Sequence, residues 1–529
     1  MQTEILELRT AQRATVNPWL IACTVMLATF MEVLDTSVAN VAMPHIAGSL
    51  SSSVDETTWV LTAYLVANAI VLPLSGWFST LFGRKRFYMT CVLLFTVSSA
   101  VCGLAPSLGV LIVCRVLQGL GGGALQPISQ AILRETFPRE KQGMAMAVYG
   151  MGVVFAPVVG PTLGGWITDN FTWRWIFLIN IPVGICSLLL TSLLVFDPPY
   201  LLRKTLRDGL KIDYIGLGLL ATGLGALEIM LDEGQRNDWF SSPGIVAAAV
   251  IGAVALIAVV FWELRQKDPV VDFHLLKERN FAIATFSMFT LGFVMYGSTM
   301  ALPLFLQTLL GYTATQSGMA LSPGGLAIMI MMPIVGFLLS KIEARWLIIF
   351  GLIVSSIGLF EMARFNLDID FHHAMTSRVV QSLGLAFLFV PINTTAFYFI
   401  AKQKTSYATG LINLARNMGG SSGIALSTTL IARRQQFHQQ QLVAHLSPLD
   451  GAYQSTLEGA KQMFLAKGAD AVHAAAQAQQ LVYNMVQQQA TLLAFLEDFR
   501  LLAIAFLAVI PIVFFLKRIR PAKTEILAE

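Results

Sequence analysis

The sequence predicts an all-α integral membrane protein of about fourteen transmembrane helices, arranged as two six-helix halves with two further helices inserted between them. Three observations lead there. Of the 529 residues, 55% are hydrophobic and only 12% charged, with a mean hydropathy of +0.67, whereas soluble domains carry about 25% charged residues. Apolar runs of about 20 residues, each long enough to cross a bilayer as a helix, recur along the chain. Finally, short sequences recur at one long offset, the mark of an internal repeat.

The runs fall at roughly 18–43, 57–78, 87–105, 107–131, 142–166 and 174–196 for the first half, and 213–232 and 243–264 for the inserted pair. The second half takes 281–304, 315–340, 345–365, 374–400, 407–431 and 496–516. They lack the short alternation of a membrane barrel, and in lipid a helix satisfies its own backbone hydrogen bonds. Threading fourteen spans puts every basic cluster on one side: "GRKR" (83–86), "RETFPREK" (134–141), "RKTLRDGLK" (203–211), "RQK" and "KER" (265–279), "KIEAR" (341–345), "KQK" (402–404) and "KRIRPAK" (517–523). About 24 of the 35 Lys and Arg lie on that side, against about two in the short loops opposite, so it is read as cytoplasmic. The chain then divides into a cytoplasmic tail (1–17), an N-terminal half (18–196), a linker with the inserted helices (197–280), a C-terminal half (281–516) and a cytoplasmic tail (517–529). The polar first 17 residues are unlike a cleavable signal peptide. Five cysteines, all in apolar runs and without CxxC spacing, point to neither a disulfide framework nor a metal site.

The repeat is read from three pairs. "RVLQGLGGGALQP" from Arg115 parallels "RVVQSLGLAFLFVP" from Arg378, "GWFSTLFGRK" from Gly76 parallels "GFLLSKIEAR" from Gly336, and "VAMP" ending at Pro44 parallels "MALP" ending at Pro303, at offsets of 263, 260 and 259. Two repeated halves around a central site are the plan of a transporter that works by alternating access.

On these motifs the chain resembles the major facilitator superfamily over nearly its whole length, and within it the fourteen-helix drug:proton antiporters of the EmrB/QacA type. "LDTSVANVAMP" (34–44) is similar to the family's first-helix signature and "RVLQG" (115–119) to its fourth-helix motif. "GWFSTLFGRKR" (76–86) resembles the cytoplasmic loop motif through Gly76, Gly83, Arg84 and Lys85, with Thr80 where the pattern has Asp. "GVVFAPVVGPTLGG" (152–165) resembles the fifth-helix motif of exporters, through Gly152, Pro157, Gly160, Pro161, Gly164 and Gly165. The resemblance implies an inner-membrane multidrug exporter that is driven by protons and uses no cofactor. It also implies, as partners, a periplasmic adaptor of EmrA type and an outer-membrane channel of TolC type.

The residues support an exporter independently. Glu32 and Asp35, three apart and so on one helical face, sit in an apolar run, although an acid at membrane depth costs at least about 2.5 kcal/mol. Asp35 and Arg115 both lie about eight residues, roughly 12 Å, from the same membrane face. A carboxylate whose partner moves away can swing between ionised and protonated states, which is what proton coupling requires; the alternative is a permanent ion pair that holds helices together. An offset near 260 sets Glu32 and Asp35 against Gly292 and Met295, which cannot titrate, so coupling is expected in the N-terminal half. Asn40, Gln118, Gln126, Asn393, Asn413, Arg378 and Arg416 are candidates to line the substrate cavity or to bridge helices. Glu361 and Arg364 read as a self-neutralising pair, and Glu228 and Asp232 as interfacial acids solvated at the outer end of the first inserted helix.

"GGSSG" (419–423) matches G-x-S-x-G, but in an apolar helix rather than a strand-turn-helix setting, so close helix packing is the reading. No HExxH or Walker loop occurs, and the chain is read as a secondary transporter, not an enzyme. The Gln- and Ala-rich stretch 433–495 reads as a periplasmic helical hairpin turning at "SPLDGAY", either an adaptor docking surface or a solvated connector. Besides drug export, export of fatty acids or lipids and, outside transport, a sensor or scaffold remain open.

Overall fold

A computed structural model describes residues 17–138, 141–197, 213–266, 269–444, 446–447 and 450–518. The N-terminal tail, the basic loop 203–211 and most of the C-terminal tail lie outside these residues. Helices account for the architecture: α1 (Pro18–Ser49), α2 (Trp59–Phe82), α3 (Arg84–Gly103), α4 (Leu108–Thr136), α5 (Gln142–Asn170), α6 (Trp175–Leu194), α7 (Tyr214–Glu233), α8 (Pro243–Glu263), α9 (Arg279–Leu310), α10 (Ala314–Leu338), α11 (Ala344–Met362), α12 (Phe371–Phe397), α13 (Thr405–Ala444), α14 (Gly451–Ala466) and α15 (Ala471–Val513).

Among the described residues eleven of these are long and apolar enough to cross a membrane, and α5, bent by 43° after Pro157, makes a twelfth. The other two expected spans are helical, within α13 and α15, and both pack into the bundle. They are simply more polar: α13 bears Arg416 and its glycine-serine run, and α15 bears Glu497, Asp498 and Arg500. The protein is thus a multi-pass membrane protein. "Inner" below denotes the end with the basic loops.

Local chemistry sets the helix ends. Asn17 caps α1, its Oδ1 accepting from Trp19 N–H at 2.9 Å, with Pro18 in the first turn. Gly83, at φ 82°, lets the chain turn directly from α2 into α3. Thr313 and Gln316 form a reciprocal capping box on α10. The outer segment is not a two-helix hairpin. Asp450 caps a separate helix, α14, which ends near Gly468 at φ +92° before Asp470 caps α15. Two turns, not one, reverse the chain there.

α1 packs on α5, α9 on α13, and α10 on both α5 and α12. The glycines expected to thin the fifth helix face α1. A Cβ on Gly164 would lie 3.1 Å from Val38, and one on Gly152 2.8 Å from Met26, while Gly165 faces open space. Gly160 has no room for a Cβ beside Ser37. Because Pro161 has no N–H, the carbonyl of Pro157 loses its helical partner, and Ser37 Oγ donates to it at 3.2 Å instead. The bend in α5 and its close seat on α1 therefore have one cause.

The inner end is closed between the halves. A Cβ on Gly76 of α2 would lie 2.7 Å from the Tyr407 backbone of α13, and one on Gly143 of α5 3.3 Å from the Gly336 carbonyl of α10. Arg134 Nη2 donates to the Asn393 carbonyl at 2.9 Å and stacks 3.5 Å over the Phe397 ring. The loop motif keeps a charged contact despite Thr80, whose hydroxyl bonds the Trp77 carbonyl of its own helix at 2.7 Å: Arg84 pairs with Glu135 of α4, and Lys85 N–H bonds Asp197 Oδ1 at 2.9 Å. A Gly143→Cys/Gly336→Cys pair, in a chain without its five native cysteines, is expected to crosslink on oxidation and to stop transport until reduced; gel shift and transport before and after reductant check this.

Candidate functional site

Two polar networks hang from one face of α1. In the first, Asp35 is buried and fully bonded. Arg115 Nη1 donates to its Oδ2 at 2.5 Å, while Gln118 Nε2 and Asn180 Nδ2 donate to its Oδ1 at 2.9 and 2.8 Å. Arg115 is itself held by the Val60 carbonyl (3.0 Å), by Gln118 Oε1 (2.8 Å) and by the Tyr64 ring 4.2 Å away. Depth matching from sequence placed Arg115 beside an acid of α1, and the acid is Asp35. Every element of this network belongs to the N-terminal half.

The second network reaches across the molecule. Glu32, also buried, accepts from Tyr64 Oη (3.1 Å) and Asn68 Nδ2 (3.1 Å) through Oε1, and from Gln126 Nε2 (2.7 Å) through Oε2. All three donors are neutral. Gln126 Oε1 in turn accepts from Arg416 of α13, and Asn417 Nδ2 lies 3.5 Å from Asn68 Oδ1. One turn further in, Gln130 and Asn413 exchange amide hydrogen bonds at 3.3 and 3.1 Å. Glycines make this approach possible: α4 breaks at Gly123 and Ala124, and a Cβ on Gly122 would lie 2.7 Å from Tyr64 Oη. In α13, Gly419 has no room for a Cβ beside the Phe289 carbonyl, so the "GGSSG" run serves close packing on α9.

The second half repeats the first network without its acid. Arg378 Nη1 donates to Gln381 Oε1 at 2.8 Å and to Ser298 Oγ at 3.2 Å, and Gln381 Nε2 donates to Ser298 Oγ at 2.8 Å. Ser298 thus occupies the place of Asp35, an offset of 263. The sequence-derived counterparts Gly292 and Met295 lie one turn off, because the proline match near the end of the helix runs at a shorter offset than the arginine match. No carboxylate pairs with Arg378 among the described residues.

Other candidates sit elsewhere. Asn40 is exposed on α1 and joins neither network. Asn393 contributes its carbonyl to the inner closure, while its side-chain amide bonds the Phe389 carbonyl at 2.9 Å. Glu361 and Arg364 pair at 3.5 Å on the exposed end of α11. Glu228 is not solvated as expected from sequence: it is 3% exposed, bonded by Ser421 Oγ at 2.5 Å, because α13 covers that face of α7. Asp232 instead takes a hydroxyl from Thr62 of α2. Tyr64, Asn68, Gln130 and Asn180 carry no signal in the sequence beyond being single polar residues in apolar runs, Arg134 reads as part of the basic loop, and Asp498, buried on α15, lies two residues inside the last expected span without a motif to mark it. A cavity of about 270 Å³ lies between α7, α9 and α13, bounded by Leu231, Trp239, Phe293, Ser422, Ala425, Leu426 and Thr429.

A bundle of spans in two repeated halves, joined across its centre by buried charged and amide groups, defines a membrane transporter. Comparison with known proteins gives the family: residues 25–424 match the Major Facilitator Superfamily, and the chain belongs to it. It is 39% identical to the multidrug export protein EmrB of Haemophilus influenzae, over 94% of this chain and 95% of that protein. It is 38% identical to EmrB of Escherichia coli K12 (82% and 84% covered) and 36% identical to the fatty acid resistance protein FarB of Neisseria gonorrhoeae (93% and 94%). Among solved structures it resembles the major facilitator proton:xylose symporter XylE with a TM-score of 0.59 at 14% identity, covering 95% of this chain and 96% of that one. That likeness concerns the fold.

Proposed function

We propose that this protein exports hydrophobic or amphipathic drugs across the bacterial inner membrane in exchange for protons, with both termini in the cytoplasm. The observation that carries the reading is the buried carboxylate Glu32, held by neutral donors only and linked through Gln126 to Arg416 of the other half. A buried carboxylate without an ion-pair partner depends on the groups around it for keeping or losing its charge, and opening the halves pulls Gln126 and Arg416 apart and changes what the carboxylate faces. Proton occupancy and the alternation of the halves are then linked. Asp35, bonded by Arg115, Gln118 and Asn180, is the complementary fixed charge that holds α1, α4 and α6 in register. The reading keeps proton coupling on the α1 face and divides it: Glu32 carries the proton, and the Asp35–Arg115 pair positions it. The bent, glycine-seated α5 transmits movement between α1 and α10, and the two amides and the arginine at the centre, Gln126, Asn413 and Arg416, face the substrate once the halves part.

The outer helices α14 and the extensions of α13 and α15 are the surface for a periplasmic adaptor of EmrA type that leads to an outer-membrane channel of TolC type, as the likeness to the EmrB proteins supports. Export of fatty acids is the second reading, favoured by the likeness to FarB and by Arg378, a buried cation with no bonded acid among the described residues. The test is transport of a fluorescent amphiphile into inverted vesicles. Uptake is expected to follow an imposed pH gradient and to stop with a protonophore; uptake indifferent to the gradient would remove the proton from the mechanism.

A further inference from the structure

The inserted helix α7 does more than fill the gap between the halves in sequence. Near its outer end it bonds both of them. Asp232 takes the hydroxyl of Thr62 on α2, and Arg236 Nη1 donates to Thr58 Oγ1 at 2.5 Å. On the other side Glu228 accepts from Ser421 Oγ of α13 at 2.5 Å, and Trp239 Nε1 donates to Thr429 Oγ1 of α13 at 2.9 Å. The α7 segment is therefore a strut across the outer seam between α2 and α13, and any outward opening along that seam must break one set of these bonds.

Glu228 is the unusual member. It is buried, one carboxyl oxygen bonds Ser421, and the other, Oε2, is buried with no hydrogen-bond partner. No cation faces it. The 24 residues of α2 contain no ionisable carboxylate or base, and α8 has none before Glu263 at its inner end. The charges of α13 are Arg416, more than a turn inward and bonded to Gln126, and Arg433 and Arg434, three turns outward, where Arg434 pairs with Glu497. On α7 itself Asp232 is bonded to Thr62, and Glu233 to Arg236 at 3.2 Å. A carboxylate with an unmet oxygen and no counter-charge is expensive to bury ionised and inexpensive to bury as the acid.

We propose that Glu228 is a second proton-carrying group of the transport cycle and that its protonation closes the outer seam. With the seam open, the carboxylate is hydrated and ionised. Taking up one H⁺ from the outer side makes it a neutral acid, which can be buried against Ser421, and α7 then draws α2 and α13 together. After the halves turn inward, that H⁺ leaves to the cytoplasmic side through the inward-open cleft between the halves, which restores the carboxylate and favours reopening. The order is the one an exporter needs, because proton uptake outside ends the outward-facing state, from which substrate leaves. The proposal rests on the proton-exchange reading above.

The test reads the seam directly and needs no substrate. Nitroxide labels at Glu56→Cys and Arg433→Cys, both exposed, in an otherwise cysteine-free protein in nanodiscs, report the distance between outer ends by pulsed electron resonance as pH is varied. The expected result is a short-distance population that grows as pH falls. In Glu228→Gln, a neutral mimic of the acid, the seam should stay closed with the pH step lost, and Glu228→Asp should keep the step at a shifted midpoint. An unchanged step in Glu228→Gln, or no step in the wild type, overturns the proposal. A step that vanishes instead in Glu32→Gln assigns the outer closure to Glu32 and likewise overturns it. The vesicle assay judges the underlying reading separately: gradient-driven uptake with an unresponsive seam leaves drug:proton exchange standing and Glu228 without this role.

Discussion

Glu32→Gln is expected to reduce gradient-driven uptake into inverted vesicles by about a hundredfold or more, the usual worth of a positioned proton-transfer group, while leaving the protein folded. The substitution is nearly isosteric, and Glu32 forms no ion pair among the described residues, so no charge is orphaned by its loss. Tyr64 Oη and Asn68 Nδ2 still find an acceptor in the new amide oxygen; only Gln126 Nε2 loses its acceptor, one neutral hydrogen bond worth about 1 kcal/mol. What disappears is the ability to bind and release H⁺. Downhill movement of the amphiphile, measured without a gradient, should survive. The measurement is uptake with and without an imposed gradient at matched expression. Retained gradient-driven uptake would exclude Glu32 as the carrier.

Asp35→Asn should fail differently. Its carboxylate is the counter-charge of Arg115, a guanidinium with no exposed surface. Removing one member of a buried pair costs about 3–5 kcal/mol, because the other charge is left uncompensated. The expected result is a marked fall in thermal stability in detergent and in membrane yield, with transport lost in consequence. The double variant Asp35→Asn/Arg115→Gln, which leaves neither charge, should recover much of that stability, a coupling that a double-mutant cycle reads. An Asp35→Asn protein as stable as wild type but unable to couple would return the proton to Asp35, the role that depth matching from sequence alone favoured.

The contrast shows what each level of description contributes. Composition and run length are enough for a membrane bundle, since only helices of this length satisfy their backbone in lipid. The arginines at 115 and 378 are enough for two repeated halves, and an acid pair in an apolar run is enough for a functional site. The fifth-helix glycines and prolines also announce themselves, since nothing else in a span needs so little side chain. Partners are another matter. Glu32 and Asp35 differ in sequence only by three positions, yet one is bonded to a cation and the other to neutral groups, and that depends on how α4, α6 and α13 are rotated against α1. Glu228 reads as a solvated acid near a helix end, and its burial is decided by α13, nearly two hundred residues away in the chain. Local hydropathy and spacing thus determined the class of protein, its halves and the helix that bears its chemistry. Which carboxylate pairs with a cation and which with neutral donors only was decided by tertiary packing, because a buried charge is governed by the groups that surround it in space.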